Sequence, residues 1–219
     1  MQLFGLNLSP FYERVVIGLE LKGASDKVEF GGLPHAFGTP EIMAASPTGK
    51  IPYFVTDSGD VLIEGQVILE YVDGVLDGPD LLPEDSDAAA NAKLLARIYD
   101  MYVIPALGPV LMALIFQKRN DEAIENAMKE ALPKALDLLN TCMSKVGTRA
   151  VGDDWTIADA ALIPMVFQLD VFARQFGYTG FGDRANINAW WDSIKDTDTV
   201  KNSHERMMTV LKKMQANAG

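Results

Sequence analysis

The apolar pattern changes character once, at Gly78-Pro79-Asp80-Leu81-Leu82-Pro83. Two prolines and a glycine within six residues stop both helix and ladder strand. Before this stretch, short apolar runs alternate with helical stripes. After it, every periodic segment repeats at i, i+3, i+4. Residues 78–84 therefore read as a linker between an α/β domain, 1–77, and an all-helical domain, 85–219.

Within the first half, Gln2–Leu6 reads as a strand and Pro10–Lys22 as a helix stopped by Gly23. Ser9 before Pro10 is a helix-start signal, an N-cap followed by proline at the first helical position. Lys27–Phe30 reads as a second strand, and a Gly/Pro-rich loop leads to a short helix near Glu41–Ala45. Pro52–Thr56 and Val61–Ile63 flank a Ser58-Gly59 turn, a hairpin signal. Glu64–Leu76 closes the half as a helix. A β-α-β-α-β-β-α order implies a sheet covered by helices. Helical segments follow at Asp87–Gln117, Asp121–Val146, Ile157–Phe176, Ile187–Ile194 and Thr199–Ala216. Thr156 with Asp159 three residues on is close to a capping box. Pro105 and Pro109 are expected to kink the first of these helices.

The net charge of −11 argues against nucleic acid or an anionic membrane as partner, since both require basic patches. The α/β half carries −7 of it, so an anion site there must rely on local donors. The longest apolar stretch, Val103–Phe116, is 14 residues interrupted by Pro105, Gly108 and Pro109, too short and broken to span a bilayer. No basic, apolar leader precedes the first strand, so no signal peptide is expected. One cysteine, Cys142, excludes an internal disulfide and reads as a buried thiol; two distant histidines offer no metal-ligand spacing, and no metal is expected. A cytoplasmic location fits.

Three stretches carry chemistry. In LNLSPFYERV the Ser9 hydroxyl is either a cap or a donor to something reactive, with Tyr12 the rival donor or a packing aromatic. In SPTGKIPYF, Pro52 opens a strand, where a proline is tolerated, and on local grounds its peptide bond would be trans. In VLIEGQVILEYVD, Glu64-Gly65 stands where backbone N–H groups at a helix start can cradle an anion.

In this order the three resemble the glutathione S-transferase superfamily, in its serine-type, tau-like classes. LLP before the helical half and GDDWTIADAAL at 152–162 are similar to the family's linker and C-terminal folding motif. The resemblance implies a thioredoxin-like domain followed by a helical bundle domain, a homodimer, and transfer of glutathione to a hydrophobic electrophile. It implies a cis bond at Pro52 and Ser9 as hydrogen-bond donor to the glutathione sulfur. Phe11, His35, Lys50, Ile51, Pro52, Glu64 and Gly65 are the implied glutathione contacts. His35 could equally be a solvated loop residue, Lys50 a solvated charge, and Glu64 a cap for its own helix. Tyr12, Tyr102, Met112 and Phe116 are candidates for the electrophile pocket, with core packing as the alternative for each. The family usually has Ser where this chain has Gly65. The missing hydroxyl favours a second reading, a non-catalytic binding or interaction module. It also makes Gly65→Ser a change expected to raise glutathione affinity about tenfold.

Overall fold

In the computed structural model, which describes residues 1–218, the chain forms two compact units. One comprises Met1–Leu82 together with the C-terminal stretch from Thr197; the other comprises Pro83–Asp196.

The first unit is built on a four-stranded sheet in the order β2-β1-β3-β4: β1 Gln2–Phe4, β2 Glu29–Gly32, β3 Tyr53–Val55 and β4 Val61–Ile63. β1 runs parallel to β2 and antiparallel to β3, and β3 antiparallel to β4. Helix α1 (Pro10–Leu21) ends as its sequence dictates. Gly23 adopts φ +66°, its N–H returns to the Glu20 carbonyl at 2.9 Å, and the Ala24 N–H reaches the Leu19 carbonyl at 2.9 Å. This is the paired-bond glycine stop that only a residue without Cβ makes cheaply. α2 (Pro40–Ala45) is capped by Thr39, and α3 (Gly65–Val75) packs its Ile68, Leu69 and Val72 into the core. α1 and α3 lie against each other, with Gly18 giving room to Leu69.

A buried ion pair holds α1, α3 and the start of the linker together. Lys22 Nζ donates to Asp73 Oδ1 at 2.9 Å and to the Pro79 carbonyl at 3.0 Å. The Asp73 carboxylate also accepts from the backbone of Leu81 (2.9 Å) and Leu82 (3.2 Å). Both oxygens of this buried carboxylate are thereby bonded, the condition under which such a pair is tolerated.

The second unit is helical: α4 Ser86–Ile98, α5 Ile104–Leu114, α6 Asp121–Asn126, α7 Leu132–Cys142, α8 Ile157–Val171 and α9 Ala185–Ile194. Of the two prolines expected to disturb the first of these helices, Pro105 follows a π turn and Pro109 lies inside α5; a second π turn stands before Pro133, which the sequence reading did not single out. π turns occupy Tyr99–Val103 and Ala127–Ala131, and each is followed, after one intervening residue, by a proline, Pro105 and Pro133. The carbonyls that a proline ring would crowd, four residues back, are those of Met101 and Lys129, inside the π turns. Widening the turn moves them aside, and the bonds pass one residue further, from Ile104 N–H to Tyr99 O and from Leu132 N–H to Ala127 O. The continuous run Ser86–Leu114, 29 residues, is by length and composition alone apolar enough to cross a membrane; 44% of its most apolar window is buried within the protein. That is longer than the 14-residue stretch visible in the sequence, because α4 and α5 are joined through the π turn.

Thr156 and Asp159 form the expected capping box at the start of α8. The fully buried Asp159 carboxylate accepts from the Ala150 N–H (2.9 Å), the Thr156 N–H (3.0 Å) and hydroxyl (3.1 Å), and the Trp190 indole (2.8 Å). Burial pushes its carboxyl above the usual range while these donors pull it back. The Cys142 thiol ends α7 half-buried rather than buried, since it lies in the last turn.

One boundary differs from the sequence reading. The last helix, α10 (Asp198–Ala218), belongs to the first unit and packs on α1. Its helical spacing could not say which partner its stripe Val200, Ser203, Met207 would choose.

Candidate active site

The strand register places the candidate residues of the first unit at one end of the sheet. Phe4, the last residue of β1, pairs with Tyr53, the first of β3, and Tyr53 pairs with Ile63, the last of β4. Phe4 is also opposite Gly32, the last residue of β2. The segments that follow β1, β2 and β4, and the one that precedes β3, therefore emerge together. They carry Ser9 and Phe11, His35, Glu64-Gly65, and Lys50-Ile51-Pro52 respectively. The rings of Phe4 and Tyr53 stack at 4.7 Å and 8°, fixing this end of the sheet.

Ser9 follows a tight turn closed by its N–H on the Leu6 carbonyl at 2.9 Å. It is the N-cap residue of α1, with φ −74° and ψ 121°, yet its hydroxyl makes no capping hydrogen bond. Its carbonyl accepts from the Tyr12 and Glu13 N–H groups at 3.1 and 2.9 Å. The half-buried hydroxyl is thus not spent on the helix end.

Tyr12 is 3% exposed, and its ring lies against Gly5, where an added Cβ would stand 2.3 Å from the ring. Burial, with the Glu13 carboxylate beside it, pushes its phenol up to about 12. At this exposure the Tyr12 side chain packs in the core of the first unit, the alternative the sequence left open for it.

The Ile51–Pro52 bond is cis. Pro52 is buried, Ile51 half-buried and the Lys50 side chain exposed; the Lys50 carbonyl is held by the Ser46 hydroxyl at 2.9 Å. His35 is half-buried in the loop after β2.

Glu64 has φ +70° and ψ 113°, a conformation that costs a non-glycine residue of order 1–3 kcal/mol. Its side chain is exposed and makes no cap bond, so capping its own helix does not account for it. Strain of this kind is held where the surroundings demand it. The next residue shows how tight they are: a Cβ on Gly65 would lie 2.2 Å from the backbone oxygen of Phe11. The starts of α1 and α3 meet at this point, and glycine is what allows it.

Two polar links behind this rim were not legible in the sequence. Arg14, fully buried on α1, donates to Gln66 Oε1 on α3 at 3.3 Å, and Gln66 Nε2 donates to Glu70 at 3.0 Å. The Arg14 guanidinium also lies over the Phe11 ring, 5.3 Å from its centre. On the other side, Asn7, Glu13 and Arg206 form a chain across 199 positions of sequence. No local pattern announces either.

In the helical unit, Tyr102, Met112 and Phe116 are 54%, 38% and 56% exposed. The alternative that helical spacing favoured, burial in the core, does not hold for these three. Among the described residues no group of His, Cys, Asp and Glu is arranged to hold a metal ion.

Comparison with known proteins fits this arrangement. Residues 3–79 match the family described as glutathione S-transferase, N-terminal domain, and residues 121–193 the corresponding C-terminal domain. A protein of Solanum tuberosum named "Probable glutathione S-transferase" is 32% identical over 159 residues, covering 73% of this chain and 68% of its own. The chain belongs to the glutathione S-transferase family. A Nicotiana tabacum protein of the same name is 28% identical over 207 residues, 93% of this chain and 87% of its own. Among solved structures, a maleylacetoacetate isomerase from Methylobacterium extorquens AM1, with malonate and GSH bound, superposes with a TM-score of 0.76 at 23% identity over 93% of this chain and 96% of its own. This last likeness is one of fold. Membership in the glutathione S-transferase family accounts for the thioredoxin-like sheet of the first unit and the helical second unit.

Proposed function

We propose that this chain activates the thiol of glutathione for attack on a hydrophobic electrophile. The observation that carries the reading is the register Phe4–Tyr53–Ile63, which gathers Ser9, cis-Pro52 and Glu64-Gly65 at one end of the sheet. Each then has a role suited to its chemistry. The backbone of Ile51 before the cis-proline pairs with the cysteinyl backbone of glutathione. The Gly65 N–H, at the start of α3, and Glu64 hold the carboxylate and ammonium of the γ-glutamyl group. Lys50, with His35 and Phe11 nearby, faces the glycyl end. Ser9 donates to the sulfur.

A free thiol with pKa ~8.5 is mostly protonated at neutral pH; a hydroxyl donor and the positive end of α1 both favour the thiolate. Ser9 keeps its proton throughout. The thiol proton leaves to solvent, and the sulfur electron pair forms the C–S bond to the electrophile. Tyr102, Met112 and Phe116 are exposed apolar side chains of the helical unit and the candidates for contact with such an electrophile. The protein acts as a cytoplasmic homodimer, with two chains of 23.9 kDa, which light scattering would register as a doubled mass.

Gly65 supports a second reading, a binding module without turnover, because the side-chain donor the family usually places there is missing. Calorimetric titration with glutathione, followed by turnover on a panel of electrophiles, separates the two. Binding with turnover supports the enzyme; binding without turnover on any electrophile supports the module; no binding overturns both roles for this site.

A further inference from the structure

The link behind Ser9 begins on the C-terminal helix. Arg206 of α10 donates from Nε (3.0 Å) and Nη2 (2.6 Å) to Oε1 of Glu13, and its Nη2 also reaches Glu20 at 3.1 Å. The other oxygen of Glu13, Oε2, accepts from Asn7 Nδ2 at 2.8 Å. Asn7 is the second residue of the four-residue turn Leu6–Ser9, and the Glu13 backbone N–H is itself bonded to the Ser9 carbonyl. The Ser9 segment is therefore gripped from both ends by one residue. Glu13's backbone holds its carbonyl side, and Glu13's carboxylate holds the preceding turn through Asn7.

This is a costly way merely to attach a helix. Glu13 is fully buried, and a buried ion pair is often no more stabilising than apolar residues of the same volume. What a hydrogen-bonded carboxylate supplies that an apolar contact does not is direction. Resting on the reading of Ser9 as the donor to sulfur, we propose that Arg206, Glu13 and Asn7 form a positioning array that sets the orientation of the Ser9 turn.

The array lies beside a surface depression of about 420 Å³ lined by Asn7, Asn202, Glu205, Arg206, Thr209, Val210 and Lys213, so water reaches its outer end. The groups that bear on Glu13 are Arg206 and Ser203 of α10, Asn7, and Tyr12 on α1; Glu20 shares Arg206, and Glu205 and Lys213 line the adjoining depression. Burial pushes the Glu13 carboxyl up and Arg206 pulls it back, leaving it at about 7. The hold on Asn7 thus changes character within the range where the enzyme would work.

Asn7→Ala separates positioning from helix attachment, because it leaves Arg206, Glu13 and Glu20 in place. The test uses the full chain and two readouts. The first needs no glutathione: the Ser9 backbone amide and the Asn7 side-chain amide are followed by NMR from pH 5 to 9. Both should move together with a midpoint near 7 in the wild type, and both should be flat in Glu13→Gln. A Ser9 amide that stays flat in the wild type overturns the proposal. The second compares glutathione turnover of wild type and Asn7→Ala. Turnover should fall at least about tenfold with glutathione affinity within twofold and the melting temperature unchanged. Equal turnover at equal stability overturns the proposal, since a clamp that only attaches α10 would give that result. If the wild type does not use glutathione, the functional reading fails, and the amide titration still decides whether the array governs the Ser9 turn. Should Glu13→Gln not fold, the Asn7→Ala titration replaces it, with loss of at least half the Ser9 shift expected.

Discussion

Gly65→Ser is the sharpest test of the packing beneath the proposed γ-glutamyl site, because sequence and structure give it opposite signs. Restoring the family's hydroxyl was expected to tighten glutathione binding about tenfold. In the structure the new Cβ would fall 2.2 Å from the Phe11 carbonyl oxygen, 3.0 Å from its carbon and 3.1 Å from its Cα. All three are backbone atoms of α1, so relief requires the starts of α1 and α3 to part by roughly 1 Å, against ordinary carbon contacts of about 3.5–4.0 Å. Overpacking of this kind costs about 1–3 kcal/mol. At about 2–4 °C per kcal/mol for a chain of this length, the melting temperature should drop by roughly 2–12 °C. The displaced parts are the Gly65 N–H and the Ser9 helix start, so glutathione affinity should fall or stay level. Gly65→Ala, without a hydroxyl, should melt as low as Gly65→Ser. Calorimetric thermal unfolding and titration with glutathione make the measurement. A Gly65→Ser protein that melts with the wild type and binds glutathione tenfold more tightly would refute the packing argument.

Three further changes have calculable outcomes. Asp73→Ala leaves the buried Lys22 ammonium with one carbonyl and orphans the Leu81 and Leu82 N–H groups, so denaturant unfolding should show a loss of about 3–5 kcal/mol. Asp159→Ala strands the Trp190 indole and the Ala150 N–H, and should cost about 2–4 kcal/mol, read by Trp fluorescence as the helical unit unfolds. The Glu13 carboxyl is raised in the folded state from 4.5 to about 7, so the native protein binds a proton there that the unfolded chain has released. Its contribution is present in full below 4.5 and is lost as pH rises through 7. That part of the stability should fall by up to about 3 kcal/mol across the window, and Glu13→Gln should flatten the fall.

The element order of the first unit was legible because its signals are local. Ser9-Pro10, Gly23 and Ser58-Gly59 each act over a few residues, as does the Thr156/Asp159 box in the second unit, and the structure shows each element of the first unit within a residue or two of its expected place. The π turn before Pro105 was half legible: proline announced a disturbance, but its form depends on how a long helix is held along its length, and the like turn before Pro133 was not anticipated. Contacts across sequence were not legible at all. Nothing near Lys22 points to Asp73, nothing near Glu13 points to Arg206, and α10 joined the first unit through such contacts. Gly65 shows the same limit at the site, since its meaning lies in Phe11, 54 positions away in the chain.

The central claim is that the Ser9 hydroxyl, left free of capping, stabilises the thiolate of glutathione bound at this end of the sheet. The thiolate absorbs in the near ultraviolet where the thiol does not, so its titration in the bound state can be followed directly in wild type and Ser9→Ala. The Ser9→Ala chain should melt close to the wild type, because the hydroxyl makes no capping bond to lose. The bound thiol of the wild type should titrate well below the free value of ~8.5, and that of Ser9→Ala should move upward by about a unit, with binding affinity little changed. A bound thiol that titrates at the same pH in both proteins would contradict the account and remove Ser9 from the chemistry.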